Sequence, residues 1–272
     1  MQFRDRVVWI TGASSGIGAA LAKALASRGA ELILSGRRMD ALEAVKASCL
    51  ELGRIDILLL PFEATDFEAL PAIVVKAQQW KGHIDVLINN AGVSQRSLVV
   101  DSDMSVYRRI MDIDYFSPVM LTKLVLPGMI AQGGGLIAVT SSLAGKIGSK
   151  MRSGYCSAKH ALHGFYDSLR AEVYADNIRV SIILPGYVQS NVSLYALTGD
   201  GGTHGVMDAG QAGAISADAA AARILRQLEK EREEIYVGTG AEMLAPWLKR
   251  FFPGLLSRFL RKQKVPGGAG TP

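Results

Sequence analysis

Ser142, Tyr155 and Lys159 are the residues whose types and spacing could do chemistry together. Tyr155 and Lys159 stand four apart in Tyr155-Cys156-Ser157-Ala158-Lys159, so on one helix they share a face and can meet. An ammonium beside a phenol favours the phenolate, which makes a usable proton donor and acceptor for a carbonyl or an alcohol. Ser142 can add a hydroxyl hydrogen bond to the same oxygen. The pair alone has a plainer alternative, because Tyr and Lys at this spacing also suit a solvated helix face.

The elements that would position such a pair weigh between these readings. Arg6-Val7-Val8-Trp9-Ile10-Thr11 reads as a short apolar strand. It leads into Gly12-Ala13-Ser14-Ser15-Gly16-Ile17-Gly18, then a helical pattern from Ala19 to Arg28 closed by Gly29. Strand, glycine-rich turn and helix form the setting of a dinucleotide site. The glycines let the backbone approach a pyrophosphate, and the helix N-terminus offers free N–H groups and a positive dipole end. The spacing is Gly-x-x-x-Gly-x-Gly rather than the commoner Gly-x-Gly-x-x-Gly, and a tight structural turn is the alternative.

With these residues in view, the chain resembles the short-chain dehydrogenase/reductase family. The resemblance is carried by Thr11-Gly12-Ala13-Ser14-Ser15-Gly16-Ile17-Gly18, Asn89-Asn90-Ala91-Gly92, Ser142, Tyr155-x-x-x-Lys159 and Pro185-Gly186, in the family's order across residues 5–240. It implies one Rossmann-type domain, a nicotinamide cofactor and Ser/Tyr/Lys carbonyl–alcohol chemistry. Ser142 rather than Ser141 is assigned because the family's serine stands thirteen residues before the tyrosine.

The end of the second strand predicts which cofactor. An acidic residue there grips a ribose 2′-hydroxyl, whereas a 2′-phosphate needs a cation. Here Glu31-Leu32-Ile33-Leu34-Ser35 is followed by Gly36-Arg37-Arg38, which predicts NADP(H), since arginine pairs bidentately with phosphate. A solvated charge pair opening the next helix is the alternative.

The resemblance implies further contacts. Glu63 and Ala64 lie beside the adenine, with Glu63 in place of the usual Asp. Asn90, Ala91 and Gly92 run along the cofactor ribose, and Asn89 knits neighbouring strands. Pro185, Gly186, Val188 and Ser190 hold the carboxamide, with Ser190 in place of the more frequent threonine. Lys159 also hydrogen-bonds the nicotinamide ribose. Asp114 stands where the family has an asparagine that holds a water relaying protons to the lysine. The aspartate can still accept from that water, but its charge near Lys159 favours charged lysine and weakens its pull on Tyr155.

Region 185–262 resembles the dehydrogenase/reductase 7B-like branch through Gly186–Ser193, Gly205-Val206-Met207-Asp208 and Leu244-Ala245-Pro246-Trp247-Leu248. Branch membership does not transfer a substrate, since the fold hosts many; the expectation is a carbonyl or secondary alcohol, a lipophilic ketone first, with steroid or xenobiotic carbonyls behind it. A homodimer or homotetramer is implied too. An NADP(H)-binding redox sensor or scaffold, crippled at Asp114, is the non-enzymatic alternative.

Alternating strand-like runs (6–11, 31–35, 55–60, 84–89, 135–140, 178–184, 234–237) and helical stretches (16–29, 38–52, 66–81, 102–131, 153–176, 217–232) predict an α/β fold. The sheet is parallel and doubly wound, in three layers. The chain of 272 residues, 49% of them hydrophobic, fits a single catalytic domain over 1–240. A segment of about 186–215, glycine-rich at 198–205, reads either as a lid over the substrate or as a surface loop. Neither a signal core nor an apolar run of membrane-spanning length is visible, so a cytoplasmic protein is expected. Cys49 and Cys156 are read as reduced thiols, and the four histidines lack metal-ligand spacing, so no metal is expected. No nucleic-acid partner is expected either.

Beyond Glu242 there is no acidic residue but six basic ones, Lys249, Arg250, Arg258, Arg261, Lys262 and Lys264. Removing them from the net charge of +5 leaves residues 1–242 at −1. They interleave with Leu244, Trp247, Leu248, Phe251, Phe252, Leu255, Leu256, Phe259 and Leu260, and Pro253-Gly254 should split 241–264 into two short helices. Two readings stay open. This segment lies on an anionic membrane surface, each cation contributing about 1 kcal/mol, or its apolar face packs on the body or on another subunit. Residues 265–272 should be disordered.

Overall fold

The computed structural model describes residues 1–208, 210 and 213–262. Strands β1 (Val7–Thr11), β2 (Glu31–Ser35), β3 (Ile57–Leu59), β4 (Val86–Asn89), β5 (Gly135–Thr140), β6 (Ile178–Pro185) and β7 (Glu234–Val237) form one parallel sheet. Their order is β3-β2-β1-β4-β5-β6-β7. Helices α1 (Gly16–Ala26), α2 (Met39–Leu50), α3 (Leu70–Lys81), α4 (Met104–Met111), α5 (Ser117–Ala131), α6 (Ser153–Glu172) and α7 (Ala217–Leu228) connect the strands.

The strands are apolar nearly throughout because both faces are covered. Val8 and Ile10 point into one core with Leu21 and Leu25 of α1 and Leu225 of α7. Val7 and Trp9 point into the other, with Leu121 of α5 and Leu162 and Tyr166 of α6. Each such buried side chain contributes about 1.5–3 kcal/mol. This is the expected three-layer arrangement.

Chain direction across the sheet reverses between β1 and β4, the neighbours at its centre. Ligands of such sheets bind outside the carboxyl ends at that reversal. Gly12 and Asn90 stand just past those two ends.

Three local features differ from the sequence reading. The stretch expected as one helix over 102–131 is two helices joined by a π turn, Asp112–Phe116. The wider turn points Asp114 inward, fully buried. The helix expected from 66 begins at Leu70, with Asp66 Oδ1 accepting the Ala69 N–H and Pro71 in the first turn. Asn89 ties β4 to helices rather than to strands, its Nδ2 donating to Thr122 Oγ1 of α5 and Tyr166 OH of α6 at 3.0 and 3.2 Å.

The α4–α5 span, Met104–Ala131, is apolar and long enough by composition to cross a membrane. It carries Arg108, Arg109, Asp112, Asp114 and Lys123, and it packs on the body through Val106, Ile110, Leu121, Val125 and Met129. After β7 come two short helices, α8 (Ala245–Phe251) and α9 (Pro253–Lys262), divided at Pro253 as the sequence predicts. The expected disordered tail, 265–272, and Lys264 lie outside the described residues.

Candidate active site

The turn after β1 is built by close backbone approach. Gly12 has φ +65°, and a Cβ there would stand 2.8 Å from Ala91 Cα. A Cβ on Gly18 would collide with the Gly12 carbonyl. Thr11 Oγ1 accepts the N–H groups of Asn90 and Ala91, and Asn90 Nδ2 donates to Thr11 O. The β1 and β4 ends are thereby fixed as one surface. Ser15 is the N-cap of α1 but makes no side-chain cap, so the first N–H groups of α1 have no such partner. Gly16, with φ +55°, and Ser190 line one cavity of about 580 Å³ together with Gln189 and Met207. That backbone cradle fits a dinucleotide pyrophosphate.

At the end of β2, Ser14 Oγ lies beside Gly36, and Arg37 Nη1 stands 3.9 Å from Glu63 Oε2 with both side chains exposed. Arg38 stands at the N-cap position of α2 without a side-chain cap and is exposed. Ala64 lies in the turn after β3. A second cavity, about 480 Å³, runs from Glu63 and Thr65 to Arg108, Arg109 and Ile113.

Helix α6 carries Tyr155 and Lys159 on one face, with the Lys159 ammonium 5.6 Å from the Tyr155 ring centroid. Lys159 is buried, and its Nζ donates to Thr140 O at 2.9 Å. Ser142 stands two residues beyond Thr140, its hydroxyl 3.4 Å from Pro185 O and accepting the Ala144 N–H. The ends of β5 and β6 thus meet the α6 face. Gly186 and the buried Val188 follow β6, and Val188 is bridged to Ile215. Ser141, the neighbour not assigned, turns away to Lys159 O and His163 Nε2.

Asp114 reaches this centre through the π turn. Its Oδ1 accepts the Val93 N–H at 2.8 Å, and its Oδ2 stands 3.5 Å from Lys159 Nζ. That distance suits ion pairing and exceeds a good hydrogen bond. Burial pushes its carboxyl above the usual range, opposed by Lys159 and the Val93 N–H. A Cβ on Gly92 would sit 3.2 Å from Asp114 Oδ1 and 3.3 Å from Lys159 Nζ.

Sequence reasoning missed a second ion cluster, centred on Asp208 next to the cavity-lining Met207. Asp208 accepts from Arg96 through both carboxylate oxygens and from Arg152 Nη2 at 2.8 Å. Burial acts to raise the Asp208 carboxyl, but the two guanidiniums outweigh it and hold it below its ordinary range. Arg152 also bonds Tyr187 and feels Tyr155. The glycine-rich stretch 198–205 is tied down as well, with bridges from Leu197 to Gln95 and Thr203. Cys49 and Cys156 are free thiols, and burial raises Cys49 to about 11. The described residues hold no metal-ligating cluster.

Comparison with known proteins agrees with this geometry. The family model described as short chain dehydrogenase matches residues 6–197. The dehydrogenase/reductase SDR family member 7B of Bos taurus is 39% identical over 262 residues, covering 94% of this chain and 81% of its own. A short chain dehydrogenase/reductase from Burkholderia phymatum, solved with NAD, superposes with a TM-score of 0.82 over 100% of both chains at 19% identity, a likeness of fold. L-sorbose reductase from Gluconobacter frateurii, solved with NADPH and L-sorbose, is 30% identical over 71% of this chain and 74% of its own, with a TM-score of 0.68. The chain therefore belongs to the short-chain dehydrogenase/reductase family of nucleotide-binding Rossmann oxidoreductases.

Proposed function

We propose that the protein is an NADP(H)-dependent oxidoreductase that interconverts a lipophilic ketone and its secondary alcohol. The observation that carries this reading is the buried Lys159 ammonium, held by Thr140 O, beside the Tyr155 ring. A fixed cation there stabilises negative charge on the phenol oxygen as a proton leaves it.

When bound, the nicotinamide supplies or accepts the hydride. The chain's own residues do the rest. Tyr155 gives its phenolic proton to the carbonyl oxygen, and Ser142 donates a hydrogen bond that polarises the same oxygen. Lys159 holds the charge left on Tyr155 and would hydrogen-bond the cofactor ribose. Asp114 orients Lys159 and the Val93 amide. Gly12, Ser14, Ser15, Gly16, Ile17 and Gly18 would receive the pyrophosphate, and Asn90, Ala91 and Gly92 would hold the ribose. Glu63 and Ala64 would hold the adenine side, and Pro185, Gly186, Val188 and Ser190 the carboxamide.

NADP(H) is supported by two exposed guanidiniums, Arg37 and Arg38, and by the lack of a carboxylate directly after β2. A lipophilic substrate is supported by the exposed Val192, Tyr195, Val206 and Met207 on the segment that flanks the cavity. Exposed Met104, Phe116 and Ile130 suit burial against a second copy in a homodimer or homotetramer.

The test is oxidation of NADPH and of NADH against a panel of lipophilic ketones, with wild type and Arg37→Ala. We expect turnover with NADPH and, in the variant, NADPH affinity reduced far more than NADH affinity. Equal losses for both cofactors remove Arg37 from phosphate recognition. No turnover of any ketone or alcohol, with NADPH still bound, points to the redox sensor instead.

A further inference from the structure

The two helices after the sheet carry more apolar surface than the body covers. Ala245 and Leu256 are buried, and Leu248 and Leu260 are half-buried. A second set faces outward. Leu244, Trp247, Phe251, Phe252, Leu255 and Phe259 are each between 45% and 61% exposed. Leu244, Trp247 and Phe251 fall on one side of the α8 turn, and Leu255 and Phe259 on one side of α9. Trp247 packs at a tilt against Phe251 and Phe252, at centroid distances of 5.2 and 5.6 Å, so the three rings form an aromatic cluster. Six large apolar side chains exposed on one short segment mark an interaction surface.

Charge identifies what it meets. Lys249, Arg250, Arg258, Arg261 and Lys262 border the patch, and among the described residues none has an acidic partner in an ion pair. A second copy docked through the same patch would set these cations against their own counterparts across a two-fold axis, which repels. A bilayer with anionic headgroups accepts both features at once. Aromatic rings and leucines enter the acyl boundary, and the long Lys and Arg arms reach the headgroups.

The platform is fixed beside the candidate active site. Lys150 Nζ donates to Arg261 O at 2.8 Å, tying α9 to the loop that precedes α6. Met243, just before α8, packs in the core shared by β6 and α6. Glu242 lies against Gly186, where an added Cβ would come within 3.1 Å of its Oε1.

We propose that residues 244–262 dock the protein on an anionic lipid surface, with α8 and α9 lying in the interface plane. This does not depend on which ketone is reduced, or on whether any is.

The test is co-sedimentation of the full chain with phosphatidylcholine vesicles, and with vesicles of phosphatidylcholine and phosphatidylserine. Two double variants accompany it, Trp247→Ser with Phe251→Ser and Arg258→Gln with Lys262→Gln. Wild type is expected to pellet with the anionic vesicles at low salt and to stay in solution with phosphatidylcholine alone. Each double variant should bind about tenfold more weakly or worse, because two groups are lost from the contact. Should a variant fold poorly, quenching of wild-type tryptophan fluorescence by brominated lipid reads the same contact. Of the three tryptophans, Trp9 is fully buried and Trp80 is half-buried against the core, so the quenched signal should come from the exposed Trp247 and be lost in Trp247→Ser. Wild type remaining in solution, vesicle binding indifferent to phosphatidylserine, or tryptophan left unquenched would overturn the proposal. So would a stable dimer in sedimentation velocity that Trp247→Ser dissociates, since the patch would then be covered by a second copy.

Discussion

Asp114 and Lys159 share one buried pocket, and each limits what the other can do. The carboxylate is fully buried with one oxygen on the Val93 N–H, while the ammonium has Thr140 O as its hydrogen-bond partner. Asp114→Asn keeps an oxygen for Val93 and removes the charge. Activity is expected to stay level or rise, with the optimum moving to lower pH, because a lost negative charge makes nearby protons easier to release. A severe loss of activity in a pH–rate profile would show that the carboxylate itself is needed. At this scale the sequence was legible wherever spacing along one element carries the signal, as for Tyr155 and Lys159. It was illegible where partners are far apart in the chain. Arg96 and Asp208 are 112 residues apart, and no local pattern announces their contact. Arg152 and Tyr187 were missed for the same reason.

Among the elements, the turn from β1 into α1 does most to prepare the site. Its backbone runs so close to Ala91 and to itself that side chains are excluded at Gly12 and Gly18. Gly18→Ala is expected to cost about 1–3 kcal/mol through the clash with the Gly12 carbonyl. It should weaken dinucleotide binding as the turn shifts. Thermal unfolding and titration calorimetry check both effects, and unchanged binding would mean that the cradle tolerates a Cβ. Seven strands were readable because β-branched and leucine runs alternate with helical periods between turn residues. The π turn was not. Asp112-Ile113-Asp114-Tyr115-Phe116 keeps enough helical pattern to read as continuous helix, and only the packed structure shows the wider turn that carries Asp114 inward.

At the scale of the whole molecule, sheet and helix layers are joined behind the site by His163. Its Nε2 lies 3.2 Å from Ser141 Oγ on the β5 side, and its Nδ1 lies 3.8 Å from Glu234 of β7. Burial, helped by the charge of Lys146, lowers its pKa to about 4 from the ordinary 6.5. The fold therefore binds this proton more weakly than the unfolded chain does. The resulting stability is complete above about pH 6.5 and is lost as pH falls towards 4, a difference on the order of 3 kcal/mol. Denaturant unfolding at about pH 7 and about pH 5 should show that loss in wild type and less of it in His163→Gln. Equal pH dependence in the two proteins would assign the loss to other groups. The net charge of the body and its basic tail could be read from composition, whereas burial of the α6 face that holds His163 required the assembled layers.

The central claim is that Tyr155 transfers the proton while the cofactor site stands independently of it. Tyr155→Phe keeps the ring beside Lys159 and removes only the transferable proton. The most direct measurement is the steady-state rate of NADPH oxidation by a lipophilic ketone in wild type and in this variant, with NADPH affinity measured on the same samples. The expected result is a fall in kcat of roughly 10²–10⁴-fold with NADPH still bound. Near-normal turnover in Tyr155→Phe would contradict it.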